Sequence, residues 1–285
     1  MLEGFKGRLR DGLRRALPHL PARHALADRL GRALMPEPPV EVIDVNGLRL
    51  AIDHRLRVAR HIRYGLYEQP FIRFLQRTLR SGDAFIDGGA NIGYITAVAH
   101  GLVGPQGKVA AFEPSRRCLA QLHAHNPVLP PGITLLPMAL AERSGTYPFM
   151  DTPRAISHGF SVLFYQRQAG PDDEVYEVET ITLDDAFGRL GIRRAACIKL
   201  DIEGAELAAL RGAAAILREG RADHIMVETS TLDPAGLKRA AGVDDLLRPH
   251  GYAPFLPDSA GRLRPLLRDL RQPFRADIIW KRPIP

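Results

Sequence analysis

Short hydrophobic runs alternate with helical patterns along most of this chain. The runs are three to six residues long and predict buried strands, and the patterns between them predict amphipathic helices. Regular alternation of this kind predicts an α/β protein with a doubly wound, mostly parallel sheet. The predicted strands are 84–86, 109–112, 133–136 continuing through 138–140, 176–181, 195–200, 224–227, 251–255 and 277–280. The predicted helices between them are 116–125, 183–190, 206–217 and 234–247.

The pattern divides the chain into three parts. Residues 1–39 carry leucines at a spacing of four with arginines between them, and predict two basic amphipathic helices. Residues 40–80 predict a hairpin around Asn46-Gly47 and a helix over 66–80 that leads into the core. Residues 81–285 then form the main α/β domain. The first part is either packed on the body, in contact with a partner, or laid on a membrane surface.

Residues 150–175 show no clear period, although they hold His158 and an acidic run at 172–174. A long stretch without a pattern is often a functional insertion. A loop histidine is usually solvated, yet its ordinary pKa suits proton transfer. His158 is therefore kept as a candidate catalytic residue.

Composition and charge narrow the protein class. No run of 18 apolar residues is present, and two cysteines are too few for a disulfide framework, so we expect a cytoplasmic protein. The net charge is +7, but residues 1–35 and 262–282 each contribute +5, so the rest of the chain carries −3. A nucleic-acid-binding face on the body is therefore not expected, whereas the basic ends permit peripheral contact with an anionic membrane surface.

Acidic residues follow several of the predicted core strands. Because parallel strands end at one edge of a sheet, these acids should share the rim where ligands bind. The acids are Asp87, Glu113, Asp201 and Glu228.

The loop that begins at Asp87 favours one kind of ligand. A dinucleotide site requires G-x-G-x-x-G, so that a pyrophosphate can approach the helix N-terminus. Here Asn91 stands at the middle glycine position, and the acid before the turn would repel a pyrophosphate. A donor that carries an ammonium and a sulfonium, S-adenosylmethionine, fits this charge. Glu113, 24 residues after Gly89, is placed to accept the ribose hydroxyls.

Five sequence blocks together resemble the FkbM-type methyltransferases. The resemblance covers roughly residues 40–282. The matching segments are Gly65-Leu66-Tyr67-Glu68, Phe85-Ile86-Asp87-Gly88-Gly89-Ala90-Asn91-Ile92-Gly93, Ala111-Phe112-Glu113-Pro114, Thr182-Leu183-Asp184-Asp185 and Ile198-Lys199-Leu200-Asp201-Ile202-Glu203-Gly204-Ala205-Glu206.

This resemblance implies a class I S-adenosylmethionine-dependent fold, with a seven-stranded, Rossmann-like sheet whose last strand is antiparallel. It implies methyl transfer, usually to a hydroxyl of a sugar, polyketide or other natural product. By motif position, the donor's methionine end would lie against the glycine loop, its ribose at Glu113 and its adenine beside Met138 and Ala139. The implied cofactor-binding residues are Glu68, Asp87, Gly89, Ala90, Asn91, Gly93, Glu113, Met138 and Ala139.

Three rim carboxylates are candidates for the general base of such a reaction. Asp201 and Glu203 lie two residues apart and would share one face if the strand continued, and Glu228 ends the next strand. Hard cations also accept oxygen ligands, so the same cluster offers an alternative divalent-metal site. We predict none.

The sequence thus predicts a methyltransferase that uses S-adenosylmethionine on a hydroxyl of a saccharide or natural product. Methylation of RNA is one alternative, although stacking aromatics among basic residues are absent. A donor-binding module without turnover, working at a membrane surface, is the other. The acceptor and the oligomeric state have no sequence signal.

Overall fold

The computed structural model describes residues 9, 11–14, 16–17, 22–152, 170–267, 269–270 and 272–283. His158 and most of the predicted insertion lie outside these residues, as does much of the first predicted amphipathic helix. The strands are β1 (Val40–Val45), β2 (Leu48–Asp53), β3 (Ala84–Gly88), β4 (Lys108–Phe112), β5 (Ile133–Leu136), β6 (Met138–Leu140), β7 (Gly145–Asp151), β8 (Glu174–Ile181), β9 (Cys197–Leu200), β10 (His224–Ser230), β11 (Ala253–Pro257), β12 (Leu263–Pro265) and β13 (Arg275–Lys281). The helices are α1 (Arg23–Ala33), α2 (Arg57–Arg63), α3 (Gln69–Thr78), α4 (Tyr94–Val103), α5 (Arg116–His125), α6 (Leu183–Arg189), α7 (Glu206–Arg211), α8 (Ala214–Glu219) and α9 (Pro234–Leu247).

The main sheet has the strand order β12-β11-β13-β10-β9-β3-β4-β5. Strands β5, β4, β3, β9 and β10 are parallel, and β13 runs antiparallel to β10. This confirms the predicted doubly wound α/β sheet with an antiparallel last strand. The short strand β12 adds an eighth, edge member to the seven that were expected.

Alternating side chains of the central strands fill two cores, one on each face of the sheet. Phe85 of β3 packs with Val109 and Met226 on one face, whereas Ile86 packs with Ile198 and Trp280 on the other. Both faces are therefore dry, which explains why the sequence of these strands is continuously apolar. The carboxyl edge of the sheet is then the place where polar side chains can gather.

The strand predicted to run from 133 to 140 is two strands in different sheets. Strand β5 ends the main sheet, and after Pro137 the chain enters β6, which pairs with β8 in a three-stranded sheet β6-β8-β7. Proline has no N–H for a ladder, so Pro137 is a natural point for this change of partner. Strand β7, which had no sequence prediction, completes the small sheet.

The predicted helix over 206–217 is also divided. It breaks into α7 and α8 at Gly212, where a Cβ would lie only 2.4 Å from the carbonyl oxygen of Ala141. The chain must approach closely here, and only glycine permits it. In contrast, the helix predicted over 234–247 is found with those bounds as α9.

The N-terminal elements pack against the main domain. Strands β1 and β2 form the predicted hairpin, with Asn46 and Gly47 at φ values of 52° and 86°. Helix α1 lies against α2, where Ala27 and Tyr64 are buried together and Arg60 pairs with Asp28 at 3.1 Å. In the described residues, no helix has the length and apolar character needed to cross a bilayer.

Replacing Trp280 by alanine should destabilise the fold by about 3–5 kcal/mol, because this fully buried side chain holds β13 against the core. The measurement is urea unfolding followed by circular dichroism. Leu267→Ala is the control, since Leu267 is 94% exposed, and should change stability by less than about 0.5 kcal/mol. Equal effects of the two substitutions would contradict the placement of β13.

Candidate active site

A cavity of about 270 Å³ opens at the carboxyl edge of the main sheet. It is bounded by the loops after β3, β4, β9 and β10, with residues of α2 and the segment before α3 on its outer side. This is the edge at which parallel α/β sheets bind their ligands. The polar and charged side chains that line it are Tyr67, Glu68, Asn91, Tyr94, Glu113, Lys199, Asp201, Glu203, Glu228 and Arg275.

The glycine loop after β3 forms the floor of the cavity and is tied to both neighbouring strands. The N–H groups of Gly89 and Ala90 donate to the Phe112 carbonyl oxygen at the end of β4. A Cβ at Gly89, whose φ is 77°, would lie 2.0 Å from the carbonyl oxygen of Asp201, so no other residue fits there. Contacts within the chain therefore fix the conformation of the loop.

The side chain of Lys199, a residue of β9, connects this strand to the glycine loop. Its ammonium is 3.2 Å from Asp87, 3.5 Å from Asp201 and within 3.3 Å of the carbonyl oxygens of Gly88 and Gly89. Its side chain is only 2% exposed. Burial alone would lower the pKa of Lys199, but the carboxylates of Asp87 and Asp201 raise it above its usual value, so the lysine stays charged.

The position of Asp87 differs from the sequence expectation. Its carboxylate is fully buried beneath the loop and does not line the cavity; besides Lys199 it accepts a hydrogen bond from the Thr96 hydroxyl at 2.6 Å. The prediction that Asp87 binds a cationic ligand stays a prediction; in this structure its cationic partner is Lys199. Gly93 likewise lies behind the cavity and begins α4 in a left-handed conformation.

Glu113 reaches the cavity with both carboxylate oxygens fixed. One accepts the N–H of Ser115 at 2.8 Å and the other the N–H of Asn91 at 2.7 Å. Burial raises the pKa of Glu113 to about 7, opposed by these two hydrogen bonds. Each oxygen keeps a further lone pair for a hydroxyl donor.

The three candidate base residues meet at one end of the cavity. One carboxylate oxygen from each of Asp201, Glu203 and Glu228 lies within 4.8 Å of the others. Arg275 donates to Glu228 at 2.5 Å, and Lys199 lies beside Asp201. Such a trio has oxygen ligands of the kind a divalent ion prefers, and the prediction of no metal stays a prediction.

Crowding of acids shifts several pKa values upward. Burial, together with the Asp201 charge and a hydrogen bond to Asp201, raises the pKa of Glu228 to about 8. Burial and Asp201 also raise that of Asp277 to about 6. For Glu68, burial and then Asp277 and Asp201 raise the pKa well above its usual range. Glu228 and Asp277 can therefore hold and release protons near neutral pH.

Glu203 enters the cavity by a turn, not by continuation of the strand. Strand β9 ends at Leu200, and Glu203 has a left-handed φ of 55°. The strand therefore does not continue as far as Glu203, although the side chains of Asp201 and Glu203 both reach the cavity. The turn is held by Glu206, whose carboxylate accepts the N–H groups of Ile202 and Gly204 at 3.1 and 2.9 Å.

Among the other predicted residues, Glu68, Gly89, Ala90, Asn91, Met138 and Ala139 all line the cavity. Glu68 stands in a left-handed conformation with φ 45°, and its buried Oε2 has no hydrogen-bond partner within the described part of the chain.

No role was predicted for Lys199, Arg275 or Asp277. A lysine inside an apolar strand signals a buried partner. Asp277 is recognised as a neighbour of the acids only from the register of β13, which pairs Asp277 with Glu228.

The strand order, the glycine loop and the rim cavity define a class I methyltransferase fold. Residues 87–254 match the model of the methyltransferase FkbM domain. The chain belongs to this family, and the matched segment runs from the start of the glycine loop to β11. No curated protein matches the sequence.

Solved structures with a similar fold include methyltransferases of several kinds. FkbM methyltransferase from Methylobacillus flagellatus is 16% identical, with 91% of this chain and 59% of that chain covered and a TM-score of 0.40. Fibrillarin from Aeropyrum pernix, bound to S-adenosylmethionine, is 11% identical, with 71% and 68% covered and a TM-score of 0.40. A putative rRNA methylase from Clostridium thermocellum is 10% identical, with 73% and 92% covered and a TM-score of 0.42. At these values the likeness carries no functional argument.

Replacing Lys199 by methionine should destabilise the protein by about 3–5 kcal/mol, because it leaves the Asp87 carboxylate buried without its ion-pair partner. Denaturant unfolding measures this change. Lys238→Met, at an exposed position of α9, is the control and should be nearly neutral.

Adding Asp87→Asn to Lys199→Met removes the stranded charge, so the double variant should regain part of the lost stability. Strictly additive losses would show that the two side chains are not coupled.

Proposed function

We propose that this protein transfers a methyl group from S-adenosylmethionine to a hydroxyl of a saccharide or other natural product. The observation that supports this best is the acid-lined cavity at the rim of the sheet. Among the described residues, its lining includes five carboxylates and two cations, Lys199 and Arg275, and the lysine is already engaged by Asp87 and Asp201. A donor with a sulfonium and an ammonium would favour the charged form of these carboxylates, whereas a pyrophosphate would oppose it.

The residues present fit that donor group by group. Glu68 offers a buried carboxylate oxygen without a hydrogen-bond partner among the described residues, a position suited to an ammonium. Glu113 keeps acceptor capacity for two ribose hydroxyls, while Met138, Ala139 and Phe149 give an apolar wall for an adenine ring. Asp87 contributes indirectly, because it pairs with Lys199 and Lys199 holds the glycine loop in place.

S-adenosylmethionine supplies an electrophilic methyl group when bound, and the chain must then position a hydroxyl and accept its proton. The carboxylates of Asp201, Glu203 and Glu228 are concentrated at one end of the cavity and can do both. We assign the base to the Asp201–Glu228 pair. Burial and mutual repulsion raise the pKa of Glu228 to about 8, so the pair binds a proton more strongly than an isolated carboxylate does.

The donor assignment is tested by calorimetry with S-adenosylmethionine and with NAD. Only the former should bind, and Glu113→Gln should weaken that binding by roughly 1–3 kcal/mol, since a charged acceptor for the ribose is lost. Glu177→Gln, at an exposed position of β8, is the matched control and should bind normally. Tight binding of NAD, or an unaltered affinity in Glu113→Gln, would refute the assignment.

The base assignment predicts a pH dependence of kcat/KM. The pair must release its proton to act, so activity should rise with pH through an inflection at about 8 and then level off. In Glu228→Gln the Asp201 carboxylate no longer faces that of Glu228, so the inflection should move to lower pH. Methyl transfer from labelled donor to a panel of sugars and aglycones provides the readout. A profile that is flat from about pH 6 to 9 would exclude this base.

A further inference from the structure

A second groove adjoins the mouth of the acid-lined cavity. Its lining residues are His24, Arg57, Val58, His61 and Tyr67. Val58 and Tyr67 line both spaces, so a ligand in the groove lies next to the cavity. The groove belongs to α1 and α2 and the chain just after them, all outside residues 87–254 that match the family model.

The groove has the opposite charge to the cavity. A single carboxylate, Asp28, is approached by Arg57 at 3.1 Å, by Arg60 at 3.1 Å and by His61 at 3.6 Å. The guanidinium of Arg60 is further held by the carbonyl oxygens of His54 and Arg55 and is buried, whereas the side chain of Arg57 is 60% exposed. Asp28 thus faces two guanidinium groups, of which that of Arg57 is the more exposed.

Two imidazoles complete the groove. The rings of His24 and His61 pack edge to face with centroids 5.0 Å apart. The Nε2 atom of His61 is buried and has no hydrogen-bond partner in the described residues, because Asp28 at 3.6 Å is too distant. Burial, with nearby arginines, lowers the pKa of both histidines, and the Asp28 carboxylate only partly opposes this shift.

We propose that this groove binds a phosphate group of the acceptor, with Arg57, His61 and His24 as its ligands. Arginine and imidazole donors surround tetrahedral oxyanions well, and a phosphate would satisfy the unpartnered Nε2 of His61. A phosphate held here would leave the rest of the acceptor beside Tyr67, which also lines the acid-lined cavity. The choice of acceptor rests on the proposed function, whereas the phosphate site does not.

The test measures phosphate binding separately from donor binding. The full chain is titrated with inorganic phosphate and with a hexose phosphate by calorimetry, and the imidazole signals of His24 and His61 are followed by NMR. We expect saturable binding, and a rise in the pKa of both histidines on addition of phosphate. Arg57→Gln should weaken the affinity about tenfold, as for the loss of a charged hydrogen bond.

Arg55→Gln is the matched control. It removes the same charge two residues away, where Arg55 pairs with Asp53 outside the groove, and should leave phosphate binding unchanged. His61→Gln tests the imidazole independently of net charge and should also weaken binding. Absence of saturable binding to the wild type, or equal losses in Arg57→Gln and Arg55→Gln, would overturn the proposal.

Vesicles separate a soluble phosphate from a lipid phosphate. Binding to phosphatidylglycerol vesicles but not to phosphatidylcholine vesicles, lost in Arg57→Gln, would identify a lipid-borne phosphate as the ligand of the same groove. Binding of S-adenosylmethionine without phosphate binding would refute the groove alone. Phosphate binding without donor binding would instead refute the proposed function.

Discussion

The buried ammonium of Lys199 is the contact on which the candidate site depends. It stands between two strands that end at the rim and holds an acid from each, Asp87 of β3 and Asp201 after β9. It also contacts the two carbonyl oxygens that begin the glycine loop. Because a buried cation must have such partners, the loop and the strand ends cannot move independently. The shape of the cavity floor follows from this one side chain.

Several acidic side chains lie close together at one end of the cavity. Glu68, Asp201, Glu228 and Asp277 repel one another, and burial adds to the cost, which is why the pKa values of Glu68, Glu228 and Asp277 are raised. Arg275 offsets only part of this repulsion. Such a cluster is what a cationic ligand would neutralise, so a cost in the free protein becomes affinity for the donor.

The two ends of the binding region have opposite charge and different origins. The acidic cavity is formed mainly by the matched family segment, whereas the basic groove comes from α1 and α2 near the N-terminus. Asp28 links the two helices of the groove, since it lies on α1 and pairs with Arg57 and Arg60 of α2. The proposed phosphate site and the donor site thus lie in different parts of the sequence.

Sequence alone determined the sheet, the loop and most of the rim. Apolar runs that end in an acid place Glu113, Asp201 and Glu228 together, because parallel strands share one carboxyl edge. Tertiary structure decided which residues that are distant in the sequence contact one another. Asp87 faces a lysine 112 residues away and does not line the cavity. The register of β13 sets Asp277 opposite Glu228, and the chain leaves the main sheet at Pro137. In each case the deciding partner is distant in sequence, and only the folded chain brings it near.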